Sequence, residues 1–156
     1  MQVEYINPIV TATVSTLDTL IGLKVRRGQA SAARTFKPPA RTSFVAVIGM
    51  AGAVQGSVVL TFDDKVAREV VGRMIGAPCG GDEEVADGVG EVVNIIAGNT
   101  KTILNEQNLG LKLSIPNVVQ GCEIRVHPPE GIPAILIPFE SEIGAFNIQV
   151  AFTQPK

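Results

Sequence analysis

Residues 43–62 read S-F-V-A-V-I-G-M-A-G-A-V-Q-G-S-V-V-L-T-F. Two readings compete for this stretch, and the choice between them decides the fold. The glycines of G-M-A-G-A-V-Q-G, 49–56, invite a phosphate-loop reading and with it a doubly wound nucleotide-binding fold. Such a loop needs a Lys-Ser/Thr pair behind it and a helix to present its amides to phosphate. Neither follows: the glycines lead into V-Q-G-S-V-V-L-T-F, rich in β-branched and aromatic residues. Residues 43–50 and 54–62 are therefore the two arms of a β-hairpin, turning at Ala51, Gly52 and Ala53.

Downstream, Asp63 or Asp64 caps a short helix in which Val66, Val70, Val71 and Met74 face inward and which Gly76 and Pro78 end. Gly80 and Gly81 separate it from a long central helix that starts near Asp82 and runs to about Asn108, with Glu83 and Glu84 in the first turn, where acidic side chains complement the helix dipole. Short extended pieces follow, L-K-L-S-I-P and V-V-Q-G, then stronger strands at 132–139 and 145–153. The last alternates, with Phe146, Ile148, Val150 and Phe152 on one side. Pro133 and Pro138 in the strand before it imply an unpaired edge or interrupted pairing.

Upstream, residues 7–23 form a first helix with Asn7 as cap, Pro8 at the first helical position and a stripe of Ile9, Val10, Val14, Leu17, Leu20 and Ile21, stopping at Gly22. From Lys24 to Arg41 the chain carries only basic charges and includes Pro38 and Pro39, which reads as a partly extended basic connector, either solvated or steering an acidic partner. The order helix, two strands, two helices, several strands predicts an α+β fold, a mostly antiparallel sheet backed by helices, in a single domain over 1–156.

With 156 residues, 46% of them hydrophobic, the chain buries one good core without staples. A net charge of −2 supplies no general attraction to nucleic acid or to an anionic membrane. No apolar run reaches the roughly 18 residues of a membrane span, and the N-terminus lacks the order of a signal peptide, so the expectation is the cytoplasm. Cys79 and Cys122 have neither metal-like nor disulfide-like spacing, and His127, beside Pro128 and Pro129, has no neighbours that nominate a catalytic triad.

The central helix carries an unusual face. Its apolar residues, Val85, Val89, Val92, Ile96 and Ile103, recur at helical spacing, and opposite them Asp87, Glu91, Asn94 and Gly98 form a ridge. The helix also tolerates Gly88, Gly90 and Gly98, each at a cost of roughly 1 kcal/mol against alanine. Two readings stay open. In one, the glycines pack against a neighbouring element and the polar groups merely solvate the face; in the other, a partner comes down on the ridge through the clearance at Gly98.

The pattern Asp87, three residues, Glu91, two residues, Asn94, with Gly98 four positions on, resembles the signature of the CheC/CheX/FliY family of chemotaxis phosphatases. The resemblance runs along most of the chain, through E-Y-I-N-P at the first helix, the glycine-turn hairpin, the helix capped at Asp63, G-N-T-K-T after the ridge and L-S-I-P-N-V-V-Q-G. Glu4 and Asn7 repeat the Glu-x-x-Asn spacing without the preceding acid or the glycine, so the full pattern occurs once, as in CheX, where CheC has two.

This resemblance implies a CheC-like fold and an enzyme that hydrolyses the aspartyl phosphate of a CheY-like response regulator. It implies Glu91 and Asn94 as catalytic residues and Asp87 and Gly98 as partner-binding ones. It implies no metal or cofactor of the chain's own, magnesium being expected on the receiver, and it implies a homodimer. An acyl phosphate is already activated, so a catalyst has mainly to place a water in line with phosphorus. A carboxamide such as Asn94 can donate to a phosphoryl oxygen while its carbonyl accepts from that water. Glu91 is suited to a lysine beside the phosphorylation site, and Asp87 to contacting the receiver or holding Glu91 through local hydrogen bonds. The rival readings are a non-catalytic receiver-binding adaptor and a dimerisation or flagellar-switch interaction module.

Overall fold

In the computed structural model, which describes residues 3–35, 40–128 and 130–153, the hairpin is the centre of the sheet. Strands β3 (Ser43–Ala51) and β4 (Gln55–Asp63) pair antiparallel from Ser43 opposite Asp63 to Ala51 opposite Gln55. Phe44, Ala46, Ile48 and Met50 alternate inward with Val58, Leu60 and Phe62 from β4, all buried.

Around them lie α1 (Val3–Ile21), β1 (Val25–Arg27), β2 (Ser31–Ala32), a 3-10 turn at Ala33–Thr35, α2 (Asp64–Ile75), α3 (Asp82–Asn105), β5 (Lys112–Leu113), β6 (Asn117–Gly121), β7 (Ala134–Ser141) and β8 (Gly144–Phe152). The sheet runs β1-β7-β8-β4-β3-β5, with β2 also on β7 and β6 also on β3, and every pairing is antiparallel. The helices supply one wall of the core, to which α3 brings Val85, Val89, Val92, Val93, Ile96, Ala97 and Leu104. The α+β layout predicted from the order of elements is the one observed.

Several details differ from the sequence reading. The first helix begins at Val3, so Asn7 sits exposed inside it instead of capping it, and Pro8 lies within the helix. Tyr5 explains the extension, because its buried ring stacks on Phe152 at 5.0 Å and draws the leading turn onto the sheet. The predicted stop holds: Gly22 has φ +65°, and its N–H reaches the Asp18 carbonyl at 2.8 Å. The central helix ends at Asn105, and 106–108 continue as a tight turn. Along it Leu104 is buried and Ile103 only partly so, since α1 and the sheet together cover a wider arc than one stripe.

Within the stretch read as a connector, Val25–Arg27 and Ser31–Ala32 pair with β7; Lys37, Pro38 and Pro39 lie outside the described residues. Between those strands Gly28, Gln29 and Ala30 stand opposite only Ile137 and Pro138, a bulge of one residue. Pro138 therefore sits where pairing is interrupted, and its carbonyl accepts the Gly28 N–H at 2.7 Å. Both β7 and β8 are flanked on either side, and among the described residues the sheet's exposed edges are β1/β2 and β5/β6.

Candidate functional site

Three devices fix α3 in place. Glu84 in its first turn reaches back to accept the Gly80 N–H at 2.7 Å. Asn99 donates to Thr16 of α1 at 2.9 Å, tying the two long helices together. At the N-terminal end, Arg68 of α2 binds both Asp64 and Asp82. The Arg68 guanidinium, with help from Gln120 of β6, holds the Asp82 carboxyl below the usual carboxylate range, so one small network joins α2, α3 and β6.

The three helix glycines have different surroundings. A Cβ on Gly88 would meet the Val71 methyls at 2.5 and 2.6 Å, and one on Gly90 would meet Val118 of β6 at 3.3 Å. These two let α2 and β6 approach the helix. A Cβ on Gly98 would meet nothing within 4 Å. Gly88 and Gly90 thus serve packing, as the first reading has it, whereas Gly98 has open space beside it.

Asp87, Glu91 and Asn94 are all exposed on α3, spaced i, i+4 and i+7, and they share one face with Gly98. Among the described residues none of the three side chains makes a hydrogen bond or ion pair, so Asp87 does not hold Glu91 in place. Two carboxylates one turn apart cost a helix roughly 0.2–0.5 kcal/mol, so helix stability does not account for the choice.

The three side chains form one wall of a groove of about 400 Å³, floored by Ala86 and Gly90. The opposite wall is Ser114, Ile115, Pro116 and Val118. Sequence reasoning quoted this segment as part of a motif but did not place it at the site; the available signal was an isoleucine and a proline between two short strands. Gly98 lies one turn beyond the groove on the same helix face. Among the described residues no cluster of three or more His, Cys, Asp or Glu side chains could hold a metal ion. No helix is long and apolar enough to cross a membrane.

A larger hollow, about 540 Å³, opens near Arg34, Arg125, His127 and Gln149, on the sheet face away from the helices. It shares no residue with the ridge and places no acid or amide pair. Cys79 and Cys122 are both free thiols.

Chemically, the groove presents two unpaired carboxylates and a carboxamide on a rigid helix, facing an apolar wall, with open approach from the Gly98 side. The fold is that of the CheC-like proteins, with a TM-score of 0.87 and 28% identity to one from Shewanella, covering 99% of this chain and all of that one. Residues 44–140 match the family described as chemotaxis phosphatase CheX, and the chain belongs to that family. The CheX structure from Desulfovibrio desulfuricans superposes with a TM-score of 0.87 at 30% identity, covering 97% of this chain and 100% of that one. The chain is also 26% identical over 128 residues to the CheY-P phosphatase CheX of Thermotoga maritima, covering 81% of each. At 24% identity and a TM-score of 0.79, covering 98% of this chain and 100% of that one, the same fold occurs in a crystal structure of a CheX-CheY-BeF3-Mg2+ complex from Borrelia burgdorferi.

Proposed function

We propose that this chain is a cytoplasmic, single-domain phosphatase that hydrolyses the aspartyl phosphate of a CheY-like receiver in chemotaxis or related two-component signalling. The observation that carries the reading is the free carboxamide of Asn94, one turn from the free carboxylate of Glu91, on a helix face with nothing above Gly98. In the docked pair the ridge lies over the phosphorylated carboxylate. The Asn94 amide N–H donates to a phosphoryl oxygen, and its carbonyl accepts from a water held in line with phosphorus. The new bond joins that water oxygen to phosphorus; the bond from phosphorus to the aspartyl oxygen breaks, the carboxylate leaves with the electron pair, and the proton the water gives up stays on the inorganic phosphate released.

Glu91 anchors the receiver through a lysine beside its phosphorylation site, and Asp87, which has no partner among the described residues, contributes a second contact. The magnesium ion expected on the receiver offsets phosphoryl charge there, and this chain contributes no cofactor of its own. The relatives named a CheY-P phosphatase and a CheX-CheY-BeF3-Mg2+ complex support the choice of substrate. A homodimer is part of the proposal, and sedimentation at micromolar concentration tests it.

The decisive assay follows decay of a phosphorylated receiver with wild type, Glu91→Ala and Asn94→Ala. Losing one positioning group costs on the order of 10²–10³ in rate. Asn94→Ala should lose about that much while still binding the receiver, and Glu91→Ala should weaken binding. A near wild-type rate for Asn94→Ala would remove it from the mechanism, and binding without faster decay would favour an adaptor.

A further inference from the structure

The groove wall facing the ridge is built by a break in strand pairing. Leu113 of β5 stands opposite Met50, and Asn117 of β6 stands opposite Val47. Between them Ser114, Ile115 and Pro116 face only Ile48 and Gly49, so one residue is extra and the segment bulges out. The bulge is held tightly. Ser114 donates its N–H to the Gly49 carbonyl at 2.9 Å, and its Oγ accepts the Gly49 N–H at 2.8 Å. Proline at 116 restricts the backbone of the residue before it. The product of this rigidity is an isoleucine, Ile115, 86% exposed.

We propose that Ile115 is the apolar anchor for the phosphorylated receiver, seated against an exposed apolar side chain that flanks the receiver's phospho-aspartate. The inference rests on the phosphatase reading above and adds the specificity contact to it. Ile115 and Asn94 line the same groove. A partner that brings a phosphoryl group to the Asn94 carboxamide must therefore also cover Ile115. The bulge is already fixed, so little conformational freedom is lost when it is covered. One wall then supplies charge and the water-positioning amide, and the other supplies burial.

The test measures KM, kcat and affinity for a beryllofluoride-activated CheY-type receiver with Ile115→Ala, Ile115→Asp, Asn94→Ala and Val119→Ala. Val119 is the control, 52% exposed on β6 but outside the groove lining. Burying an isoleucine corresponds to roughly 10- to 100-fold in affinity. Ile115→Ala should raise KM and Kd about tenfold or more, with kcat falling less than twofold and the thermal midpoint unmoved; Ile115→Asp should be worse. Asn94→Ala should lose kcat with Kd kept.

Unchanged KM and Kd in both Ile115 variants would overturn the anchor and, if Asn94→Ala still loses turnover, leave the phosphatase reading standing. An equal loss in Val119→Ala would also overturn it, by showing general edge stickiness. A wild-type chain that neither binds nor dephosphorylates any receiver of its organism would overturn both.

Discussion

Replacing Gly88 and Gly98 by alanine, one at a time, should move stability in opposite directions although both lie inside α3. Each exchange gains roughly 0.8–1.0 kcal/mol of helix propensity. At Gly98 nothing opposes the gain, because beyond the neighbouring backbone of its own helix no described atom lies within 4 Å of the new Cβ. At about 2–4 °C per kcal/mol for a chain of this size, the midpoint should rise by a few degrees.

At Gly88 the new Cβ would lie 2.5 and 2.6 Å from the Val71 methyls and 3.1 Å from its Cβ. Val71 is buried and β-branched, so it has no alternative rotamer to retreat into. Overpacking of this kind costs roughly 1–3 kcal/mol. With contacts this short the upper part of that range applies, and the net loss should be about 1–2 kcal/mol.

Val71→Ala removes the obstructing methyls at its own cavity cost, so the double variant should lose less than the sum of the single ones. The coupling should be about 1–2 kcal/mol, well beyond the ~0.3–0.5 kcal/mol within which independent sites add. Urea titration of the four species reads this directly. A Gly88→Ala chain as stable as wild type, or strict additivity with Val71→Ala, would refute the claim that this glycine exists for the α2 contact.

The remaining predictions concern the ridge and two local charges. Gly98→Leu should weaken receiver binding tenfold or more by filling the clearance, yet raise the thermal midpoint; unchanged affinity would show that the partner does not cover this position. Asp63 Oδ1 accepts the Val66 N–H at 2.9 Å as the cap of α2, so Asp63→Ala should cost about 1 kcal/mol, whereas Asp63→Asn, still a cap, should cost less in the same melts. The Asp82 carboxyl is depressed chiefly by its Arg68 hydrogen bond. Its stabilisation is therefore fully present above the unfolded value of 3.8 and is lost as pH falls below it. Denaturation midpoints at pH 3 to 6 should show wild type losing more stability below about pH 4 than Asp82→Asn does; equal slopes would exclude the pair from the acid response.

What the sequence makes readable follows from how local the causes are. The hairpin, the Asp63 cap and the Gly22 and Gly76 stops depend on a few adjacent residues, and all lie where the pattern places them. The start of α1 was misplaced because its cause is not adjacent: Tyr5 stacks on Phe152, at the far end of the chain, and that contact carries Asn7 and Pro8 into the helix. The three glycines of α3 are alike as letters, and what separates them is whether Val71, Val118 or nothing stands opposite.

The same division runs through the groove. Its polar wall repeats with the period of one helix, so Asp87, Glu91, Asn94 and Gly98 could be found by counting. Its apolar wall exists because three residues face two across a strand pair whose partner, Gly49, is 65 residues from Ser114. No local pattern marks that mismatch; L-S-I-P reads as a short strand with a stop. Function sharpens the contrast. An amide that aims a water needs only a rigid helix beneath it, and so can be read from periodicity. Choosing among receivers that all carry the same phospho-aspartate needs a second contact at a fixed offset from the first, and here that offset is set by the register of the sheet. A single residue deleted from Ser114–Pro116 would restore regular pairing and draw Ile115 back toward the strand. It should therefore relax receiver choice while leaving the helix and its amide in place; kcat/KM compared across several phosphorylated receivers would show the preference collapse, or, if the preference persists, assign it to the charged wall instead.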